Sequence, residues 1–147
     1  MEARRAVIDY SLVRRATLVS LARGATAASE VCDAHPYLLR AARHHGEATA
    51  RSCPVCRREE LRNVTYVYGD ELGPYSGRVK STAELATMAR EHGEFRVYVV
   101  EVCQACGWNH LKTSYVLGDG TRRGGAQQEP GRGRGRVGVN AGEGASE

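Results

Sequence analysis

The sequence contains no apolar run long enough to span a membrane. Its first residues, MEARRAVIDYSLVRR, set arginines and an aspartate where a secretory signal would need an apolar stretch. Neither a membrane protein nor a secreted one is expected, and the cytosol is the expected compartment. Lysine is scarce, with only Lys80 and Lys112 among 21 basic residues. The remainder are arginines, which suit bidentate contact with phosphate or carboxylate and are equally the product of a GC-rich coding sequence. Size is limited too: 147 residues allow one modest core and a small satellite, not a large enzyme.

What is present is unevenly spread. Nine of the 17 glycines fall in the last 28 residues, where almost nothing can be buried. Residues 120–147 are therefore expected to form a disordered Gly/Arg-rich tail. Its RRGG and GRGRGR stretches are similar to arginine-glycine segments that contact RNA, and a solubilising tail would look the same. Residues 1–52 hold eight basic against five acidic side chains, residues 53–119 eight against nine, and the tail five against three. Both ends are basic and the middle is not.

Local patterns divide the body into helices and then strands. Leu12, Ala16, Val19 and Leu21 recur at near-helical spacing between a cap at Asp9 or Ser11 and a stop at Gly24. ASEVCDA, beginning at Ala28, and PYLLRAARHHG, opened by Pro36 and ended by Gly46, predict two more short helices. Three such helices are expected to gather into a compact bundle, with a helix-turn-helix one possible arrangement. From Leu61 the pattern alternates through Val64, Tyr66 and Tyr68, which predicts a strand. A capping box at Ser81 and Glu84 opens a helix that runs to Gly93. FRVYVVEV and HLKTSYVL then flank a two-cysteine turn as an antiparallel hairpin.

Four of the five cysteines form two C-x-x-C pairs, Cys53/Cys56 in CPVC and Cys103/Cys106 in CQAC. In a cytosolic protein this favours a metal over disulfides. Such a turn aims two thiolates at one ion while backbone N–H groups stabilise the sulfurs, and two turns complete a tetrahedron. The expected cofactor is one structural Zn²⁺. Gly107 can supply the positive φ that such a turn favours, and Arg57 holds the equivalent place in the first turn. Each turn is also followed by a similar segment, Tyr66-Val67-Tyr68-Gly69-Asp70 and Tyr115-Val116-Leu117-Gly118-Asp119, so one knuckle-plus-strand unit is used twice.

Other reactive side chains have simpler readings. Cys32 and His35 form C-x-x-H, but a single helical cysteine commonly serves as a small apolar residue. His44, His45 and His92 complement helix C-termini, and Trp108 is expected to pack over the metal turn. No acid–base pair stands near either knuckle, and four cysteines close the coordination shell. No catalytic residue is assigned, and a zinc hydrolase or dithiol enzyme is disfavoured.

The strings VCDAHPYLLRAARHHGE, CPVCRRE, VYGDELG, EHGEFRVYVVEVC and CGWNHL, in this order, resemble a family of small uncharacterised actinobacterial proteins. That family is a domain of unknown function with zinc-ribbon-like cysteines. The resemblance spans about residues 5–119, leaves out the tail, and implies that Cys53, Cys56, Cys103 and Cys106 are the paired knuckles of a cytosolic bacterial protein.

The expected architecture is α+β: an N-terminal helical segment (1–52), a zinc-ribbon-like antiparallel sheet with an inserted helix (53–119), and the tail. The expected role is a non-enzymatic zinc module that docks on nucleic acid or on a nucleic-acid machine such as RNA polymerase or the ribosome. The alternative is a protein-only adaptor that uses the acidic-aromatic loop around Tyr68, Asp70, Glu71 and Tyr75.

Overall fold

A computed structural model describes residues 4–120. The tail expected to be disordered lies outside the described residues, apart from Gly120. The fold is α+β. Its centre is an antiparallel sheet in the order β1-β5-β4-β3-β2, formed by β1 (Arg5–Asp9), β2 (Glu47–Ser52), β3 (Glu60–Tyr68), β4 (Phe95–Val102) and β5 (Asn109–Leu117). Helices α1 (Ser11–Ala22), α2 (Ala28–Val31) and α3 (Pro36–His45) separate β1 from β2. A 3₁₀ segment (Asp70–Tyr75) and helix α4 (Thr82–Glu91) separate β3 from β4.

Alternation along the central strands gives the sheet two apolar faces. Val64 and Tyr66 of β3, with Val102 of β4, meet Ala41 and Ala42 of α3. Two alanines on the contact line let the helix backbone approach the sheet closely. On the other face Val67, Phe95, Val97, Tyr115 and Leu117 meet Leu85 and Met88 of α4 and Leu72 of the 3₁₀ segment. Full burial of each such side chain contributes roughly 1.5–3 kcal/mol. Helix α4 starts with the expected capping box: the Glu84 backbone N–H donates to Ser81 Oγ at 3.2 Å, and the Ser81 N–H donates to Glu84 Oε1 at 2.7 Å.

The N-terminal segment departs from the bundle expected of it. Helix α1 lies against β5, and α3 lies against β3 and β4, so these two helices pack on the sheet. The same segment also contributes both edge strands, β1 and β2, so residues 1–52 and 53–119 share one sheet. These edges left no periodic signal because all five residues of β1, and four of the six of β2, are exposed. Each is interrupted by a register shift near a residue at positive φ, Ala6 in β1 and Ala50 in β2. Such kinks blunt an edge against pairing with another chain. Among the described residues, no helix is long and apolar enough to cross a membrane.

Candidate metal centre

The two C-x-x-C turns close two strand–turn–strand hairpins, β2–β3 and β4–β5. The pairs Ser52↔Glu60 and Val102↔Asn109 bracket them. Because β3 pairs antiparallel with β4, both turns come to the same end of the sheet. Their internal hydrogen bonding is the same. Cys53 N–H donates to Glu59 O (2.9 Å) and Arg57 N–H to Cys53 O (3.1 Å); Cys103 N–H donates to Trp108 O (2.8 Å) and Gly107 N–H to Cys103 O (2.9 Å). The first turn is one residue longer, which accounts for the one-residue offset between the two echoing Tyr-Val segments.

The residue after each second cysteine lies in the left-handed region, Arg57 at φ 56° and Gly107 at φ 91°. A left-handed residue other than glycine costs about 1–2 kcal/mol. At Gly107 there is also no room: a Cβ would sit 2.9 Å from the Cys32 carbonyl oxygen. That contact belongs to a second tie, in which Ala34 N–H donates to Gly107 O at 3.0 Å. The segment Cys32–Ala34 is thus docked on the second knuckle.

The Sγ atoms of Cys53, Cys56, Cys103 and Cys106 all lie within 4.8 Å of one another, so these four residues are positioned to hold a metal ion. Cys53 Sγ is 3.7 Å from Cys106 Sγ, and Cys56 Sγ is 3.6 Å from Cys103 Sγ. Disulfide sulfurs would be about 2.05 Å apart. A tetrahedral ion with metal–sulfur bonds of about 2.3 Å places its sulfurs about 3.8 Å apart, close to what is seen. The donor set and its spacing therefore fit a thiolate-bound ion.

Backbone N–H groups surround the sulfurs. Val55 and Cys56 donate to Cys53 Sγ (3.3 and 3.5 Å), Arg58 to Cys56 Sγ (3.4 Å) and Cys106 to Cys103 Sγ (3.5 Å). The Arg58 N–H holds the Cys56 thiol down to about 7, whereas burial pushes the Cys103 and Cys106 thiols up. Four thiolates so enclosed would need a cation to offset part of their charge. Among the described residues, no ion pair or hydrogen bond brings the side chains of Arg57, Arg58 or Lys112 to the sulfurs, so the chain's help comes from its backbone.

An apolar shell closes the site. Cys53, Cys103, Leu61 and Trp108 are buried together, with Leu18 of α1 and Val31 of α2 packed against them. Trp108 has 0% exposure and covers the turn as its position predicts; its Nε1 donates to Glu101 Oε2 at 2.8 Å. His110 stacks on Trp108, its ring centroid 5.8 Å away, and takes no part in the sulfur cluster. His35 caps α3, its Nδ1 accepting from the Tyr37 N–H at 3.1 Å. His44 and His45 end the same helix.

Cys32 is what the sequence reading underrated. Its Sγ lies 3.5 Å from Cys106 Sγ, at the margin of the cluster. The only available signal was C-x-x-H, which pointed to the wrong companion: His35 caps a helix, and the partner of Cys32 stands 74 residues away. The acidic-aromatic loop is also partly occupied by the fold, since Glu71 Oε1 accepts from the Gly93 N–H at 2.8 Å. Tyr75 is half exposed there.

Comparison with known proteins agrees with the likeness seen in the strings around these cysteines. The chain is 51% identical over 111 residues to uncharacterized protein Mb0050 of Mycobacterium bovis, a match covering 76% of this chain and 81% of that protein. Identity and coverage are the same for uncharacterized proteins MT0055 and Rv0049 of Mycobacterium tuberculosis. No solved structure matches. A model of the family of unknown function DUF5318 matches residues 1–131, which takes in the beginning of the tail that the resemblance had left out. With both knuckles inside that span, the chain belongs to the actinobacterial family of unknown function DUF5318.

Proposed function

We propose that the chain is a non-enzymatic zinc module of the cytosol that docks on nucleic acid or on a nucleic-acid machine such as RNA polymerase or the ribosome. The observation that carries the reading is the closed set of four cysteine sulfurs at tetrahedral spacing. Soft thiolates in a four-sulfur set favour zinc, which has no redox chemistry of its own and is held as a structural ion when no position is left open. Once bound, the ion cross-links the two hairpin tips. Cys53 and Cys56 orient one turn, Cys103 and Cys106 the other, and their N–H donors fix the sulfur directions.

The ion would thereby set a stiff end of the sheet beside exposed Arg51, Arg57 and Arg58, where a phosphate-rich partner could be gripped. The test is binding of full-length, metal-loaded protein to labelled RNA and DNA, and its retention on isolated RNA polymerase and ribosomes, over a salt series. The reading expects binding that weakens steeply with salt. No binding to any of these at low salt overturns it.

One observation favours the protein-adaptor reading. Val7 and Ile8 of β1, with Leu12, Val13 and Val19 of α1, are exposed side chains on adjoining elements. Capture of a protein partner that survives nuclease and raised salt, and that is lost on Leu12→Asp, would favour the adaptor.

A further inference from the structure

A cleft of about 640 Å³ runs between α1 and the sheet, apart from the four sulfurs. Its lining carries four cations (Arg14, Arg15, Arg51 and Lys112) and two carboxylates (Asp9 and Glu101). One pair is already spent. Arg14 Nε donates to Glu101 Oε2 at 2.6 Å, and Glu101 is 2% exposed. Asp9 Oδ1 accepts from the Ser11 N–H at 2.8 Å and so helps begin the helix.

Arg15, Arg51 and Lys112 remain. They come from three different elements, α1, β2 and β5, and none makes an ion pair or side-chain hydrogen bond among the described residues. Like charges brought to one concavity repel, and a fold gains nothing from convergence without a counter-charge. The lining has a formal excess of +2, the charge a phosphate group balances. Arginine's planar fork matches phosphate oxygens bidentately, and lysine adds a point charge. Beside these cations the wall is aromatic and aliphatic, with Tyr10, Leu18 and Val19. The volume falls within the range of small-molecule sites.

We infer that this cleft binds a nucleoside phosphate, with Arg15, Arg51 and Lys112 on the phosphate and Tyr10 and the α1 side chains against the base and sugar. The phosphate could belong to a free nucleotide or to a unit of a single strand. The free-nucleotide form stands without the docking reading above; the strand form rests on it.

Two probes separate the sources: a fluorescent nucleoside triphosphate and a labelled single-stranded oligoribonucleotide, each titrated into full-length, metal-loaded protein. The variant is R15A/R51A/K112A. The control, R40A/R43A/R90A, removes equal charge from exposed positions of α3 and α4. Metal content and circular dichroism check that both fold, and Arg15→Glu alone, an exposed helix position, serves if the triple variant does not. The site expects about tenfold or more loss of affinity in the cleft variant and a change within about twofold in the control.

Loss for both probes supports the site in both forms. Nucleotide binding lost in the variant, with no oligonucleotide binding by the parent chain, supports the site in its free-nucleotide form and overturns its strand form. Oligonucleotide binding that the cleft variant retains, without nucleotide binding, overturns the site and leaves the docking reading standing. Failure of the parent protein to bind either probe overturns the site.

Discussion

The sulfur of Cys32 lies closer to that of Cys106, at 3.5 Å, than Cys53 or Cys56 lies to its partner across the two knuckles. Cys32 nevertheless stands outside the set whose sulfurs are all mutually close, so four thiols are positioned to hold an ion and the fifth adjoins one of them. Two substitutions separate these roles. Cys103→Ser removes a buried ligand and is expected to abolish stoichiometric metal and cooperative unfolding, because apparent zinc affinities of about 10 kcal/mol or more are folding energy in such sites. Cys32→Ser is expected to keep one ion per chain. Elemental analysis and thermal unfolding of the two purified variants check both.

The left-handed residues of the two knuckles make opposite predictions. Gly107→Ala adds backbone strain and drives a Cβ to within 2.9 Å of the Cys32 carbonyl, for an expected loss of about 2–3 kcal/mol. Arg57→Gly relieves the same strain in the first knuckle and is expected to be neutral or to stabilise by about 0.5–1 kcal/mol. Denaturant unfolding of the metal-loaded proteins, compared at constant slope, gives both signs.

Glu101 ties the metal end of the sheet to α1, one carboxylate oxygen accepting from both Arg14 and Trp108. Glu101→Ala leaves a partly buried guanidinium and a buried indole N–H without their acceptor, and should cost about 3–5 kcal/mol. Arg14→Ala, in which the carboxylate keeps the indole, should cost less. A double-mutant cycle on unfolding free energy gives the coupling, and additivity of the two changes would show that the pair contributes nothing.

Cys56 is the thiol with the lowest pKa in the cluster whose shift is resolved, held at about 7 by the Arg58 N–H, while Cys103 and Cys106 are pushed up by burial. In folded protein challenged briefly by a chelator near neutral pH, Cys56 is therefore expected to be alkylated before Cys103 and Cys106. A folded pKa below the free-thiol value of 9.0 stabilises the folded chain most above that value, and the contribution is lost as pH falls through about 7. Mass-spectrometric peptide mapping after brief alkylation from pH 6 to 9 gives the order directly.

Much of this was legible in the primary structure because the signals are local. The capping box at Ser81, the proline opening α3, and the β-branched runs of β4 and β5 each fix their own element within a few residues. The clustering of the four cysteines was legible from spacing, since a C-x-x-C turn carries its geometry with it. What escaped is long-range. Strand β1 owes its conformation to partners more than 100 residues away, β2 pairs with partners 8 to 16 residues away, and both bury too little to show a pattern. The helices of residues 11–45 carry apolar residues that a bundle could have used as readily as a sheet face. Cys32 reaches Cys106 only because the chain from α2 to α3 is tied to Gly107, a contact that no spacing within 28–46 encodes.

Pairing of β1 with β5 sets Arg5 opposite Val116 and so orders events on a growing polypeptide. Among the described strands the first synthesised waits for the last, and the sulfur set is incomplete until Cys106 has emerged. A nascent chain halted before that point would present its early helices and an unpaired edge to whatever binds newly made protein. Closure of the sheet and assembly of the four-sulfur set then wait on the emergence of β5.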